Sequence, residues 1–191
     1  MPDGTVVTAV IDGTAEGLFT AVYRYYYGKL RPGYVQDGSL PSFQQAIGAD
    51  YVFVETDREQ AEKVAEAIET KLGGDTQFNI SAALSSASPD RFYDVFRYII
   101  LAFKEPKNVD AWEQLDYVMS VHKLRRHAAM EAHLLKGFVR FRQTSQGVLY
   151  ADISPKDNVL WMVCDHFTDR LCNERFVAAP ASVRVEAAAR R

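Results

Sequence analysis

The sequence contains few residues that could cross-link the chain. It has two cysteines among 191 residues, Cys164 and Cys172, eight positions apart in a predicted helix. That separation corresponds to about 12 Å along a helix axis, which is too long for a disulfide between them. We therefore expect reduced thiols, as is usual in the cytoplasm. No flanking motif marks either cysteine as a nucleophile.

Long hydrophobic runs and targeting signals are also lacking. The longest apolar runs, such as Tyr98–Phe103, are far too short to span a membrane. Met1–Gly4 is polar, unlike the basic and then apolar start of a secretory signal. These features predict a cytoplasmic protein without a membrane partner.

Motifs for cofactors and metals are missing as well. The sequence has no G-x-S-x-G segment, no P-loop and no G-x-G-x-x-G segment, so we predict no bound cofactor. His122, His127 and His133 are spaced by five and six residues, which suits neither a zinc-binding helix nor a zinc knuckle. We therefore predict no metal site.

The composition is that of an ordinary globular protein. Hydrophobic residues make up 48%, charged residues 25%, and the formal net charge is −3. This charge argues against a generally basic nucleic-acid binder but leaves room for a local basic patch. From the length we predict that residues 1–191 form a single domain, with residues 186–191 as a frayed tail.

The N-terminal part of the sequence predicts strand, helix, loop, strand and helix. β-Branched residues indicate a strand over Thr5–Ile11, and Thr14 is placed to cap the helix after it. Gly28–Pro41 contains three Gly and two Pro, which indicates a loop. A second strand is predicted over Tyr51–Glu55, followed by a helix over Arg58–Leu72 that Asp57 caps and Gly73-Gly74 ends. The apolar stripe of that helix comprises Ala61, Val64, Ala65, Ile68 and Leu72.

The middle of the chain is predicted to be helical and the end mixed. Helices are expected over Phe78–Leu84, Pro89–Ala102 and Asp110–Leu135, the last of them ended by Gly137. A β-hairpin of Phe138–Gln143 and Val148–Ile153 follows, then a helix over Val159–Leu171 and a short strand over Phe176–Ala178. The inner face of the second of these helices comprises Phe92, Val95, Phe96, Ile99 and Ile100. Strands at both ends with helices gathered between them predict an α+β fold.

Positive charge is concentrated in residues 122–142. This stretch holds six Lys or Arg side chains and one acid, a local charge of +5 in a chain of net charge −3. The asymmetry predicts a basic face for nucleic acid, phosphate or an acidic partner. The alternative is a solvated helix end, because cations there also favour the helix dipole.

Helical geometry places part of this charge on one stripe. At 100° per residue, the stripe that begins with Leu115, Val118 and Met119 continues through His122, Arg126, Ala129 and His133. Glu131 faces the opposite side of the helix, so it is a poor candidate to polarise His133.

The predicted hairpin adds arginines and aromatic rings. Strand alternation puts Phe138, Arg140 and Arg142 on one face, with Tyr150 as a candidate cross-strand neighbour. Arginine beside aromatic rings on an open sheet face is typical of single-stranded nucleic-acid binding, although ordinary solvating arginines are the alternative. The candidate nucleic-acid-binding residues are Arg126, His133, Lys136, Phe138, Arg140, Arg142 and Tyr150.

Four segments of the chain resemble a known bacterial family. Residues 131–141 (E-A-H-L-L-K-G-F-V-R-F) are similar to its E-x-H-R-x-x-G-F-V-R-F segment. Residues 150–160 are similar to Y-A-x-I-x-P-x-x-N-[IV]-L, residues 166–171 to H-F-A-D-R-L, and residues 11–18 to the opening Y-D-G-S-x-E-G-L. The family is the one usually called "probable DNA metabolism protein", a domain of unknown function.

This resemblance extends over nearly the whole chain and implies work on DNA. In that family the domain occurs alone, beside a radical SAM protein assigned to DNA modification or repair, or fused to a uracil-DNA-glycosylase-like domain. The implied partners are therefore DNA and such an enzyme. The residues that carry the resemblance are Asp12, Gly13, Glu131, His133, Gly137, Phe138, Arg140, Phe141, Pro155, Asn158, His166, Phe167 and Arg170.

The chain departs from the family pattern at two places. Leu134 follows the motif His133, where the family usually has Arg, so one candidate phosphate contact is missing. The family also usually continues into an H-D-x-x-R segment, whereas this chain has Phe176–Pro180 without a His-Asp pair.

Three functional hypotheses follow from the sequence. The leading one is a DNA-associated accessory or substrate-binding protein, with single-stranded or damaged DNA as the substrate, that acts with a partner enzyme in DNA repair or modification. The second is a repair enzyme in which His133 or His166 is a general acid or base, since histidine titrates near neutral pH. The third is a protein–protein adaptor without nucleic-acid contact.

Overall fold

The computed structural model describes residues 7–28, 30–40 and 50–180 and shows an α+β fold. The helices are α1 (Ala15–Tyr26), α2 (Arg58–Lys71), α3 (Gly74–Leu84), α4 (Arg91–Lys104), α5 (Asp116–Phe138) and α6 (Leu160–Arg170). The strands are β1 (Val7–Ile11), β2 (Tyr34–Asp37), β3 (Asp50–Phe53), β4 (Arg142–Gln143), β5 (Leu149–Ile153) and β6 (Phe176–Pro180), with one 3-10 turn over Val109–Ala111.

The chain folds as two compact units. The first takes its described residues from Met1–Leu84 and Ser88–Leu124, and the second from Ser85–Ala87 and Arg125–Arg191. Helix α5 therefore contributes its N-terminal residues to the first unit and its C-terminal residues to the second. The sequence-based prediction of a single domain over residues 1–191 stays a prediction, and the proposed frayed tail, residues 186–191, lies outside the described residues.

The first unit contains a parallel three-stranded sheet in the order β2-β1-β3. The predicted first strand is confirmed over Val7–Ile11, and its central residue Ala9 pairs with Val35 of β2 and Val52 of β3. The prediction of a loop throughout Gly28–Pro41 was wrong, because Tyr34–Asp37 forms β2. Val35 is 1% exposed, so the pairing to β1 and the burial of this residue outweigh the glycines and prolines around it.

Two helices of the first unit begin at the predicted caps. The Thr14 hydroxyl accepts a hydrogen bond from Gly17 N at 2.9 Å at the start of α1, and the Asp57 carboxylate accepts one from Gln60 N at 3.0 Å at the start of α2. Each satisfies an N–H that the first helical turn leaves without a partner. Both caps were predicted from the sequence.

Helix α4 is the centre of the first unit's hydrophobic core. Its five predicted inner residues, Phe92, Val95, Phe96, Ile99 and Ile100, are all buried. Helix α2 buries Ala61, Val64 and Ile68, but the predicted inclusion of Ala65 in that stripe was wrong because Ala65 is exposed. Helix α3 begins at Gly74, earlier than the predicted Phe78.

The second unit contains a mixed three-stranded sheet in the order β4-β5-β6. β4 and β5 form the predicted antiparallel hairpin, and α6 then connects β5 to β6, which pair in parallel. Gly147 in the hairpin turn has φ +77°, a conformation that favours glycine. The unit buries an apolar set from β5, α6 and the residue before α6: Ala151, Ile153, Val159, Met162, Val163 and Phe167.

None of the helices in the described part of the chain has both the length and the apolar character that a membrane-spanning segment requires.

Candidate nucleic-acid interface

The C-terminal half of α5 presents a buried face and a solvent face. Ala128 and Ala132 are buried, whereas Arg126 and His133 are exposed. The sequence-predicted stripe does not coincide with the buried face of the helix, since Val118 is buried but Met119 is 48% exposed. The buried stripe instead continues from Val118 through Val121, Ala128 and Ala132. Arg126 and His133 are therefore accessible to a ligand, as their candidate role requires.

The boundary between α5 and the hairpin differs from the prediction. α5 continues through Gly137 to Phe138, and Val139 N still donates to Leu135 O at 2.9 Å. Glycine lowers helix stability by only about 1 kcal/mol relative to alanine, so Gly137 alone does not end the helix. Phe138 thus does not share a strand face with Arg140 and Arg142, and it projects from the helix end with 74% of its surface exposed.

Arg140 folds back onto the end of α5. Its Nη1 donates to Gly137 O at 3.1 Å and to Val139 O at 3.2 Å. These carbonyls lie where the negative end of the helix dipole favours a cation. The two bonds restrict the guanidinium group and leave its other N–H donors for a ligand.

Arg142 and Tyr150 are cross-strand neighbours, as predicted. The Tyr150 hydroxyl donates to Asp152 Oδ1 at 2.5 Å, and this hydrogen bond raises the pKa of Tyr150. Because the hydroxyl is engaged by Asp152, the remaining feature that Tyr150 can offer to a base is its ring, beside the exposed Arg142.

The C-terminal end of α5 and the end of α6 line a cavity of about 430 Å³. Lys136, Arg140 and Arg170 contribute three cationic side chains, and none of the described residues that line it is acidic. We call this site the basic cavity; its lining residues are Lys136, Gly137, Val139, Arg140, Phe141, Phe167, Arg170 and Leu171. Three like charges at one cavity without an acid favour an anionic ligand.

Aromatic rings form one side of the basic cavity. Phe141 packs edge to face on Phe167 with ring centroids 4.9 Å apart, and on Phe176 at 5.8 Å. His166 packs against Phe167 at 5.1 Å but does not line the cavity. These edge-to-face contacts orient Phe141 and Phe167, the two aromatic residues that line the cavity.

The structure brings some of the predicted residues together and separates others. Lys136 and Arg140, predicted to bind nucleic acid, meet the motif residues Gly137, Phe141, Phe167 and Arg170 at the basic cavity. The sequence did not predict Arg170 as a binding cation. Its spacing of three residues from Phe167 on α6, which places both on one helical face, is the signal that could have identified it.

The motif acid Glu131 has a structural contact. Its carboxylate accepts hydrogen bonds from Lys156 N at 2.7 Å and Asp157 N at 2.9 Å. It thus fixes the turn that follows the motif residue Pro155 and includes Asn158, whose N–H donates to Ser85 O at 2.7 Å. As expected, Glu131 does not hydrogen-bond to His133 among the described residues.

The motif residues Asp12 and Gly13 lie in the first unit, at the end of β1. Asp12 accepts hydrogen bonds from the hydroxyls of Thr14 and Thr56 at 2.6 and 2.7 Å. Burial raises the pKa of Asp12, but these bonds outweigh it and hold the pKa below its ordinary value. Gly13 has φ +77°. The arrangement is that of a turn that connects β1 to α1.

The candidate general acid or base residues have no polarising partner in the described part of the chain. His133 is exposed and forms no hydrogen bond or ion pair there, and the contact of His166 is with Phe167. His122, by contrast, contacts Asp110 Oδ1 at 2.7 Å through Nε2. Tyr98 also donates to this oxygen at 2.6 Å. Over the same residues, no group of three or more His, Cys, Asp or Glu side chains could hold a metal ion.

A protein-family model described as "Domain of unknown function (DUF4130)" matches residues 89–189. The match covers more than half of the chain, so the protein belongs to this family. It includes the end of α5, the hairpin and α6, and therefore every residue of the basic cavity. No curated protein matches the chain, and no solved structure does.

Proposed function

We propose that the protein is a non-catalytic DNA-binding accessory protein that holds single-stranded or damaged DNA through the basic cavity and acts with a partner enzyme in DNA repair or modification. The observation that carries this proposal is the convergence of Lys136, Arg140 and Arg170 on one cavity whose described lining residues include no acid. The partner, a radical SAM or glycosylase-like enzyme, is suggested by the sequence resemblance.

The cations provide the attraction for the DNA backbone. Arginine offers a planar fork of N–H donors that matches phosphate oxygens, and lysine adds a point charge. Binding through these groups releases counterions from the DNA, so the affinity falls steeply as the salt concentration rises. Arg126 and Arg142, both exposed, add two further cations to the second unit.

Aromatic groups provide a surface for unstacked bases. Phe138 projects into solvent beside Gly137 at the rim of the basic cavity, and Tyr150 lies opposite Arg142 in the hairpin. Stacking of a base on an aromatic ring contributes about 1–3 kcal/mol. Because a base in a duplex already stacks on its neighbours, we expect single-stranded DNA to bind more tightly than duplex DNA.

The test is fluorescence anisotropy of single-stranded and duplex oligonucleotides with the full chain over a series of salt concentrations. Arg170→Gln and Arg142→Gln are each expected to weaken binding roughly tenfold and to reduce the salt slope by about 1. Lys156→Gln is the matched control, because Lys156 is an exposed cation of the second unit that neither lines the cavity, as Arg170 does, nor pairs with Tyr150, as Arg142 does. Absence of binding at low salt, or equal loss in the control variant, would rule out this function.

A partner-binding role without DNA is the second candidate, and one observation favours it. Met130, Leu134 and Phe138 follow one another at intervals of four on α5 and are 56%, 51% and 74% exposed. Leu134 stands where the related family usually has Arg, so this chain has an apolar row in place of a cation. Such a row is typical of a protein contact, and failure of DNA binding would leave this function as the better one.

A further inference from the structure

A second cavity, of about 360 Å³, lies in the first unit. Four aromatic rings and two cations dominate its lining: Tyr25, Tyr93, Phe96, Arg97, Lys104 and Tyr117. We call it the aromatic cavity. Its volume falls in the range of about 300–1,000 Å³ that is usual for small-ligand sites.

Three helices that are far apart in sequence build this cavity. Tyr25 comes from α1 and Tyr117 from the first turn of α5, while α4 supplies the other four of these side chains at helical spacing. Pro32 and Gly33, which precede β2, complete the lining together with Ile100 and Leu101 of α4. The cavity is anchored in the core, because Phe96 is 3% and Tyr117 9% exposed. Tyr25 packs edge to face on Phe96 with centroids 5.8 Å apart. The aromatic walls are therefore held by the fold before any ligand arrives.

The cations at the cavity are available to an anion. Arg97 lies over the ring of Tyr117 at 4.0 Å and at 5.5 Å from that of Tyr93, so its guanidinium group is oriented by stacking. Neither Arg97 nor Lys104 forms a salt bridge with a described acid. None of the described residues that line the cavity is acidic.

The neighbouring acid is engaged elsewhere. Asp94 acts electrostatically on Arg97, but its carboxylate accepts a hydrogen bond from Ser120. Burial raises the pKa of Asp94 despite this hydrogen bond. Arg97 therefore keeps most of its hydrogen-bonding capacity for a group that enters the cavity.

We propose that the aromatic cavity binds a nucleotide, with the base against the half-buried rings of Tyr25 and Tyr93 and the phosphate on Arg97 and Lys104. Aromatic walls favour a flat ring system, and two cations that form no salt bridge with a described acid favour an attached phosphate over a neutral ligand. The nucleotide can be free or can be the phosphorylated end of a DNA strand, since both present the same chemistry.

This proposal is independent of DNA binding at the basic cavity. No residue is shared between the two sites, and the aromatic cavity lies in the first unit whereas the basic cavity lies in the second. Variants of either site can therefore be tested against both ligands.

The experiment is calorimetric titration of the full chain with adenosine 5′-monophosphate, adenosine, inorganic phosphate and a 5′-phosphorylated single-stranded oligonucleotide. We expect saturable binding of adenosine monophosphate, and binding of adenosine or phosphate alone that is at least about tenfold weaker. Arg97→Gln and Lys104→Gln are each expected to weaken nucleotide binding about tenfold. Lys71→Gln, an exposed cation at the end of α2, is the matched control and should leave it unchanged.

The source of the nucleotide follows from the oligonucleotide arm. If the phosphorylated strand binds more tightly than the mononucleotide, and Lys104→Gln removes this difference in affinity, the ligand is a strand end. If the mononucleotide binds more tightly than the strand, the ligand is a free nucleotide. The proposal is overturned by the absence of saturation up to about 5 mM nucleotide, which corresponds to negligible affinity. It is also overturned if Arg170→Gln, rather than Arg97→Gln and Lys104→Gln, abolishes nucleotide binding. Lys104 is exposed, so its variant tests the site even if Arg97→Gln unfolds.

Discussion

Replacement of Gly13 by alanine is expected to destabilise the first unit strongly. Gly13 has φ +77°, and a Cβ atom built there would lie 2.5 Å from Asp37 Oδ1 and 2.6 Å from Ser39 Oγ. A positive φ costs an alanine about 1–2 kcal/mol. The contact adds a second cost, because Asp37 is 2% exposed and accepts hydrogen bonds from Ser39 N and Oγ at 2.9 and 2.6 Å.

The magnitude follows from these two costs. Displacing the buried Asp37 from a hydrogen bond costs about 1–3 kcal/mol, whereas the reduced freedom of the unfolded chain returns about 0.4–1 kcal/mol. The net loss for Gly13→Ala is therefore about 1–5 kcal/mol, with a central value of about 3 kcal/mol. Gly147→Ala is the control, since Gly147 has the same φ of +77° with nothing within 4 Å of the added Cβ; we expect it to cost only about 1 kcal/mol.

Hydrogen exchange read by mass spectrometry can assign each loss to its own unit. Urea unfolding gives the total change in the free energy of unfolding, and peptides from β1 and from the hairpin report the local change. Equal losses for Gly13→Ala and Gly147→Ala would refute the argument that the crowding by Asp37, rather than the backbone conformation, makes glycine necessary at position 13.

Two further predictions concern carboxylates. Burial raises the pKa of Asp94 above its ordinary 3.8, so the ionised carboxylate lowers the stability of the protein above the folded-state pKa, and this penalty fades as the pH falls towards 3.8. Asp94→Asn should therefore raise the melting temperature at pH 7 and lose that benefit near pH 3. A benefit that grows at low pH would contradict this. Glu131→Ala removes the acceptor for Lys156 N and Asp157 N and should lower the free energy of unfolding, measured with urea, by about 2 kcal/mol. Glu131→Gln, which keeps one acceptor oxygen, should lower it less. An unchanged urea midpoint for Glu131→Ala would show that water replaces the carboxylate.

Local signals in the sequence predicted much of the fold. The caps Thr14 and Asp57 and the inner face of α4 depend on residues a few positions apart, so the pattern contains the necessary information. Strand β2 was missed because it is only four residues long and lies among turn-forming residues. Its pairing with β1 is a long-range effect that local propensity does not report.

The candidate sites were less predictable than the fold. Lys136, Arg140 and Arg142 were recognised by charge, but the helix that passes through Gly137 separates Phe138 from the strand in which it was predicted. Arg170 reaches the basic cavity through the packing of α6. The aromatic cavity was not predicted at all, because Tyr25, Tyr93 and Tyr117 meet only when three helices pack.

The short segment Ser85–Ala87 has a consequence for how this protein can be divided. Although it lies between α3 and α4, it belongs to the second unit. There Ser85 O accepts from Asn158 N at 2.7 Å, Ser85 Oγ from Trp161 Nε1 at 2.9 Å, and Asp157 Oδ1 from Ala87 N at 2.9 Å. A cut after Leu124 would deprive the C-terminal piece of all three bonds. A fragment that begins at Arg125 is therefore expected to be less stable than the same unit within the whole chain.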